Sequence, residues 1–245
     1  MAGHSKWSNI KHRKSKVDAQ KGKIFAKVSR EIMVAVKQGG ADPVSNFALR
    51  LALDKARSFN IPNENINRAI QRGLGTTDAD NFEEFTYEGY GPGGVAIMLD
   101  LLSDNRNRTA ADVRHIFSKH GGNLGESGSV AYLFDKKGLI IVDRAEESRD
   151  EDAMLLLALE AGAEDLQVEE DSFEIITAPT DLEAVRSFLQ EQNVNIASAE
   201  LTMLPQTTVA VEGEVAENVL KLLEALEEHD DVKNVYTNAD LPDEE

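Results

Sequence analysis

The 245-residue chain contains no cysteine. Disulfides, thiol nucleophiles and Cys-ligated zinc are therefore excluded, and a reducing cytosol suits the composition. Aromatic residues are scarce at 6%, with one tryptophan, so cores of small aliphatic side chains are expected. Long apolar runs are also missing. The best, at residues 95–102 and 154–159, fall far short of the ~20 residues that a membrane helix needs. The N-terminus has no apolar signal core, and Ala2 rather than a glycine follows Met1, which removes the myristoylation pattern. The sequon at Asn107-Arg108-Thr109 carries no meaning in a chain that is not secreted. No membrane partner and a cytoplasmic location are the expectations.

Hydrophobic residues make up 41% and charged residues 29%, enough for a buried core and for more than one domain. The net charge of −18 argues at first against nucleic acid. Its distribution reverses that argument. Residues 1–80 hold 15 Lys and Arg against 7 Asp and Glu, whereas residues 81–245 hold 11 against 37. Residues 1–30 alone hold nine basic residues and one acid. Attraction to phosphate is screened within about 10 Å at moderate salt, so the local patch matters more than the total.

Residues 1–16 read as a polar, basic arm. A helix follows, capped at Asp18 and running to Gln38, with Ile24, Phe25, Val28, Ile32, Ala35 and Val36 on one face. Two more helices are predicted, one after Pro43 and one over residues 62–72. Residues 85–87 and 95–102 read as strands, 107–120 as a helix and 129–134 as a strand. Residues 138–204 then give strand, helix, two strands, helix and strand, the βαββαβ order of a ferredoxin-like unit. Thr180 with Glu183 reads as a capping box for the second of those helices. Strand, helix and strand at 207–211, 215–228 and 232–236 return to the earlier sheet. The predicted class is α+β: an N-terminal helical domain plus two α/β domains, one a ferredoxin-like unit inserted in the other. The divisions are 1–80 for the basic arm and helical domain, 81–134 together with 206–245 for the middle α/β domain, and 135–205 for the insertion.

Catalytic and cofactor motifs fail on their surroundings. Gly89-Tyr90-Gly91-Pro92-Gly93-Gly94 contains G-x-G-x-x-G, but a strand follows it, whereas a dinucleotide site needs a helix there. A tight turn is expected instead. Gly121-Gly122-Asn123-Leu124-Gly125 lacks the Lys-Ser/Thr of a phosphate loop, which leaves a turn after a helix or a contact surface for a partner. The five histidines show no metal-ligand spacing, and no serine sits in a nucleophile elbow. No cofactor, no metal and no catalytic residue are assigned.

The positive charge is the sharpest signal. Lys6, Lys11, Arg13, Lys14, Lys16, Lys21 and Lys23 crowd into eighteen residues beside Trp7. Such groups attract phosphates and release their counterions, and Trp7 can stack on an unpaired base. A disordered solubilising tail is the plainer reading of a charge run. Against it, the charge continues onto a predicted helix face, at Lys23, Lys27, Arg30 and Lys37, while the rest of the chain is acidic. A mitochondrial presequence would favour Arg and a clear apolar face. A second basic set, Arg106, Arg108, Arg114 and Lys119, either touches phosphate or pairs with neighbouring acids.

Several long strings carry a resemblance. Ala2-Gly3-His4-Ser5-Lys6-Trp7-Ser8-Asn9-Ile10-Lys11-His12 resembles the opening of the YebC/PmpR family. So do Tyr87-Glu88-Gly89-Tyr90-Gly91-Pro92-Gly93-Gly94, Asn105-Arg106-Asn107-Arg108-Thr109 leading into Val113-Arg114, and Lys119-His120-Gly121-Gly122-Asn123-Leu124-Gly125. The likeness spans nearly the whole chain. With the family string starting at the second residue, a bacterial cytosolic member is expected. The resemblance implies three domains and a role in gene expression. It implies either a DNA-binding transcriptional regulator or a ribosome-associated translation factor that binds ribosomal RNA and aids synthesis of proline-rich stretches. Phosphate contacts alone do not separate DNA from RNA. A protein-binding adaptor, with the ferredoxin-like unit as its docking surface, is the reading from another class.

Overall fold

The computed structural model describes residues 21–75 and 82–242. The arm, the Asp18 cap and the final three residues lie outside the described residues. The chain divides into two compact units, Lys136–Met203 forming one and the residues on either side of it the other.

The first unit opens with three helices, α1 (Lys21–Gly39), α2 (Phe47–Ser58) and α3 (Asn63–Leu74). The apolar face of α1 buries Val28, Ile32 and Val36 against Leu49, Leu53 and Ala56 of α2 and Ile66 and Ala69 of α3. Gly40, with φ +82°, provides the left-handed residue that ends α1. Asn46 then locks the corner. Its Oδ1 caps α2 by accepting from the Leu49 N–H at 3.0 Å, and its Nδ2 donates to the carbonyls of Ala35 and Gly40 at 2.7 and 2.8 Å. Helix α3 passes close to α1: a β-carbon on Gly73 would lie 2.7 Å from the Met33 carbonyl and 2.8 Å from the Val36 Cβ.

A four-stranded sheet follows. β1 (Glu83–Tyr90) and β2 (Ala96–Ser103) form an antiparallel hairpin. β3 (Asn123–Leu124) pairs with β1, and β9 (Val232–Thr237) with β2, both antiparallel, giving the order β3-β1-β2-β9. Central β2 is buried at every position except Asp100, which is partly exposed. Its Ile97, Leu99 and Leu101 pack with Val113 and Phe117 of α4 (Arg106–Lys119) and with Leu222, Leu223 and Leu226 of α7 (Gly213–Glu228). The turn from β1 to β2 is a tight one over Pro92–Gly94, with Gly93 and Gly94 at φ 73° and 76°, so the G-x-G-x-x-G string opens no helix.

Two local expectations change. Residues 129–133 are not strand: Ala131–Leu133 is a single 3-10 turn, because backbone N–H groups of this loop are drawn to the Glu88 carboxylate rather than to a neighbouring strand. The predicted strand at 207–211 shrinks to β8 (Val209–Ala210), which pairs in parallel with β10 (Ala239–Asp240) in a separate two-stranded sheet.

In the second unit, β4 (Phe134–Asp143), α5 (Glu151–Ala161), β5 (Asp165–Val168), β6 (Ser172–Thr177), α6 (Leu182–Glu191) and β7 (Ile196–Pro205) follow in order. The sheet order is β5-β6-β4-β7, and β6 runs antiparallel to both β4 and β5. That is the ferredoxin-like arrangement, with the first and third strands central. Asp150 caps α5 through the Ala153 N–H at 2.9 Å, and Gly162 at φ 95° ends it. The capping box at Thr180 does not form. Asp181 is the cap residue of α6, and the Thr180 hydroxyl bonds the Asp181 carboxylate at 3.2 Å.

Candidate nucleic-acid interface

Of the basic residues singled out, Lys6, Trp7, Lys11, Arg13, Lys14 and Lys16 lie outside the described residues. Lys21 opens α1, and Lys23 and Lys37 are exposed on it. Lys27 and Arg30, one and two turns beyond Lys23 on the same face, are engaged inside the protein. The Lys27 ammonium donates to the Glu227 carbonyl at the C-terminus of α7. The Arg30 guanidinium donates to the Asp230 carbonyl at 2.9 Å, pairs with Asp231 at 3.6 Å and sits 6.0 Å from the Phe82 ring centroid. A helix C-terminus presents unpaired carbonyls and the negative end of its dipole. Lys27 meets one carbonyl of that end and Arg30 the chain two residues beyond it, so two residues of the predicted basic stripe bond within the protein.

Asp231 is the centre of this junction, though it read as one acid among many. It is 5% exposed. Its carboxylate accepts from the Thr109 hydroxyl at 2.7 Å, the Ser103 hydroxyl at 3.0 Å and the Arg108 guanidinium at 3.1 Å. Burial raises its pKa, and these donors together with the charge of Arg108 outweigh burial and hold it below the ordinary carboxylate value. Asn105 caps α4 through the Arg108 N–H at 3.1 Å, and Arg108 also pairs with Asp104 at 2.9 Å. The string Asn105–Thr109 is therefore a helix start tied to β9. Its arginines have partners within the fold. Arg108 pairs with acids, and Arg106 lies 4.8 Å from the Phe85 ring centroid. Arg114 and Lys119 of α4 are exposed. No local signal in the sequence singles out Asp231, because its partners on α4 lie more than 120 residues away.

Lys23, Arg30, Phe82, Arg108, Asp112 and His229 line a groove of about 550 Å³ beside this junction. Its mixed signs make it no simple phosphate channel. Among the described residues, no group of three or more His, Asp or Glu is arranged to hold a metal ion, and no helix is long and apolar enough to cross a membrane.

The two glycine-rich strings meet at the other end of the same sheet. Gly89 pairs with Leu124, and Tyr90 with Asn123. A β-carbon on Gly122 would lie 2.5 Å from the Tyr90 carbonyl, and one on Gly89 2.6 Å from the Asn123 carbonyl. Only glycine permits this approach. Beneath it Glu88 accepts from the N–H groups of Gly128, Val130 and Ala131 at 2.7, 2.7 and 2.8 Å. Burial works to raise its pKa, and the three amides outweigh burial and lower it. The Tyr90 hydroxyl adds a bond to the Ser129 carbonyl at 2.9 Å. These strings build the loop around residues 125–131.

Comparison with known proteins agrees with this architecture. Residues 5–76 match the family described as the TACO1/YebC protein N-terminal domain, and residues 82–239 match the TACO1/YebC second and third domain. A protein of Desulforamulus reducens named "Probable transcriptional regulatory protein" is 58% identical, covering 97% of this chain and 98% of its own. One of the same name from Pelotomaculum thermopropionicum is 57% identical, over 99% of this chain and 100% of its own. The crystal structure of a conserved hypothetical protein from Aquifex aeolicus superposes with a TM-score of 0.85 at 49% identity, over 94% of each chain.

Proposed function

The chain belongs to the TACO1/YebC family, and from that premise we propose that it is a non-enzymatic regulator of gene expression that docks on nucleic acid through its N-terminal basic segment. The observation that carries the reading is the charge division, nine basic residues to one acid in residues 1–30 against 37 acids in residues 81–245. The relatives' name supports regulation of transcription, and DNA is the first target to test. In this reading Lys6, Lys11, Arg13, Lys14, Lys16, Lys21, Lys23 and Lys37 meet phosphates and Trp7 a base, while Lys27 and Arg30 contact the chain around the end of α7. The acidic surface keeps the remainder of the protein off the phosphates and so orients it.

Replacing Lys11, Arg13, Lys14 and Lys16 together with Glu tests this. The expected result is weaker binding to a short DNA duplex and a flatter dependence of log Kd on log salt. Unchanged binding refutes the role of the segment. A second reading, ribosomal RNA as target, draws on the same charge and on the family resemblance. Sedimentation of a native lysate at low and high salt separates the two. Salt-sensitive migration with ribosomes, lost in the charge reversal, favours ribosomal RNA. Migration at the top of the gradient together with sequence-selective duplex binding favours DNA.

A further inference from the structure

Helix α5 of the ferredoxin-like unit reads Glu-Asp-Ala-Met-Leu-Leu-Leu-Ala-Leu-Glu-Ala. A helix apolar on all sides is normally a buried one. This one buries Met154 and Ala158 and leaves Leu155, Leu156 and Leu159 exposed at 39%, 69% and 51%. Positions 155 and 159 are one turn apart and 156 lies beside them, so the three form one apolar patch. Asp152 and Glu160 flank it, one turn before and one turn after Leu156, and both are exposed. Around it, residues 136–203 hold 17 acids and 5 basic residues. An exposed apolar patch with a polar rim marks an interaction surface.

We propose that this face of α5 docks a basic polypeptide segment carrying large apolar side chains at helical spacing. Charge complementarity selects that occupant. The same face of a second copy would bring its own acidic rim against this one. Nucleic acid and an anionic lipid surface are repelled for the same reason. A basic amphipathic segment meets the leucines with its apolar side and the flanking acids with its cations. Apolar burial supplies the affinity, and the acid rim supplies orientation and association rate. The site shares no residue with the N-terminal basic segment, so the protein would bridge a nucleic acid and a basic protein.

The probe is a fluorescent synthetic peptide of about five helical turns with Leu on one face and Lys on the other. Its control has the same composition in permuted order. Each is titrated into the full chain by anisotropy. The ordered peptide is expected to bind the native chain about ten-fold more tightly than the permuted one. L156E/L159E is expected to remove that preference with far-UV circular dichroism and melting temperature unchanged. D152K/E160K, which leaves the leucines in place, is expected to weaken binding several-fold and to reduce its salt dependence. The N-terminal charge reversal should leave peptide binding unaltered, so this proposal and the nucleic-acid reading fail separately. Equal binding of both peptides would reduce the effect to bulk charge and overturn the proposal. So would full peptide affinity in L156E/L159E, or a native dimer that this variant converts to monomer.

Discussion

The sheet of the first unit is pinned at both ends by a buried carboxylate, and the two pins differ in kind. Glu88, on β1, is held by three backbone N–H groups of one loop. Asp231, before β9, is held by two hydroxyls and two guanidinium groups that come from β2, α4 and α1. Both carboxylates are ionised against the tendency of burial. The amides around Glu88 are neutral and fixed, so that site organises a single loop and is indifferent to salt. The donors around Asp231 include half-exposed cations, so that site couples three elements and is screened by salt. The loop near Glu88 follows one strand; the junction at Asp231 joins the helical bundle to the sheet.

The largest effect is expected where the partners are least able to find substitutes. Glu88→Ala strands three N–H groups under the loop and is expected to cost about 3–5 kcal/mol. Asp231→Ala is expected to cost about 2–3 kcal/mol, since Arg108 and Arg30 can turn to water. Urea unfolding measures both. Repeating it in 1 M NaCl sharpens the contrast: the cost of Asp231→Ala should shrink and that of Glu88→Ala should hold. Equal salt responses would erase the distinction drawn here.

Acid should remove both contributions. Each group has a folded pKa lowered from its ordinary value, 4.5 for Glu88 and 3.8 for Asp231. The stability each supplies is therefore fully present above that ordinary value and is lost as pH falls through the lowered folded value. Unfolding free energy measured from about pH 6 down to about pH 3 should fall less steeply in the double variant E88A/D231A than in the native chain. Parallel curves would mean that other carboxylates govern acid unfolding.

Helix packing supplies a smaller test in the same unit. Gly73→Ala places a methyl group against the Met33 carbonyl and the Val36 side chain, and α1 must shift to admit it. The expected cost is about 1–3 kcal/mol. Because α1 also holds Arg30 against Asp231, a double-mutant cycle of Gly73→Ala with Asp231→Ala should be non-additive. Simple additivity would mean that the bundle moves without disturbing the junction.

Much of this fold was legible because its cues are local. The apolar spacing of α1, the buried second strand of the hairpin and the βαββαβ order each depend on neighbours in sequence. The ends of elements were harder. Thr180 reads as a cap by type and spacing, yet the chain turns one residue later at Asp181. Residues 129–133 have the pattern of a strand, and a carboxylate some forty residues upstream takes the amides that a strand would use. Partners distant in sequence were legible least. Arg30 and Asp231 are both plain surface charges when read singly, and only folding brings them to 3.6 Å. Leu155, Leu156 and Leu159 illustrate the reverse case, because a run of leucines reads as core until the structure shows one face uncovered.

The smallest effect concerns the second basic set and divides it as the structure does. Arg106→Gln removes the contact with the Phe85 ring and is expected to cost about 0.5–1 kcal/mol of stability. Arg114→Gln and Lys119→Gln alter exposed positions of α4 and are expected to change stability by less than about 0.5 kcal/mol. Their worth lies in the binding assay. If α4 reaches phosphate alongside the N-terminal segment, this pair should lower the slope of log Kd against log salt by about 1–2. If the slope stays put while the quadruple N-terminal charge reversal flattens it, nucleic acid meets the N-terminal segment alone. The basic residues of α4 then belong with Lys27 and Arg30, as charges that serve the folded protein.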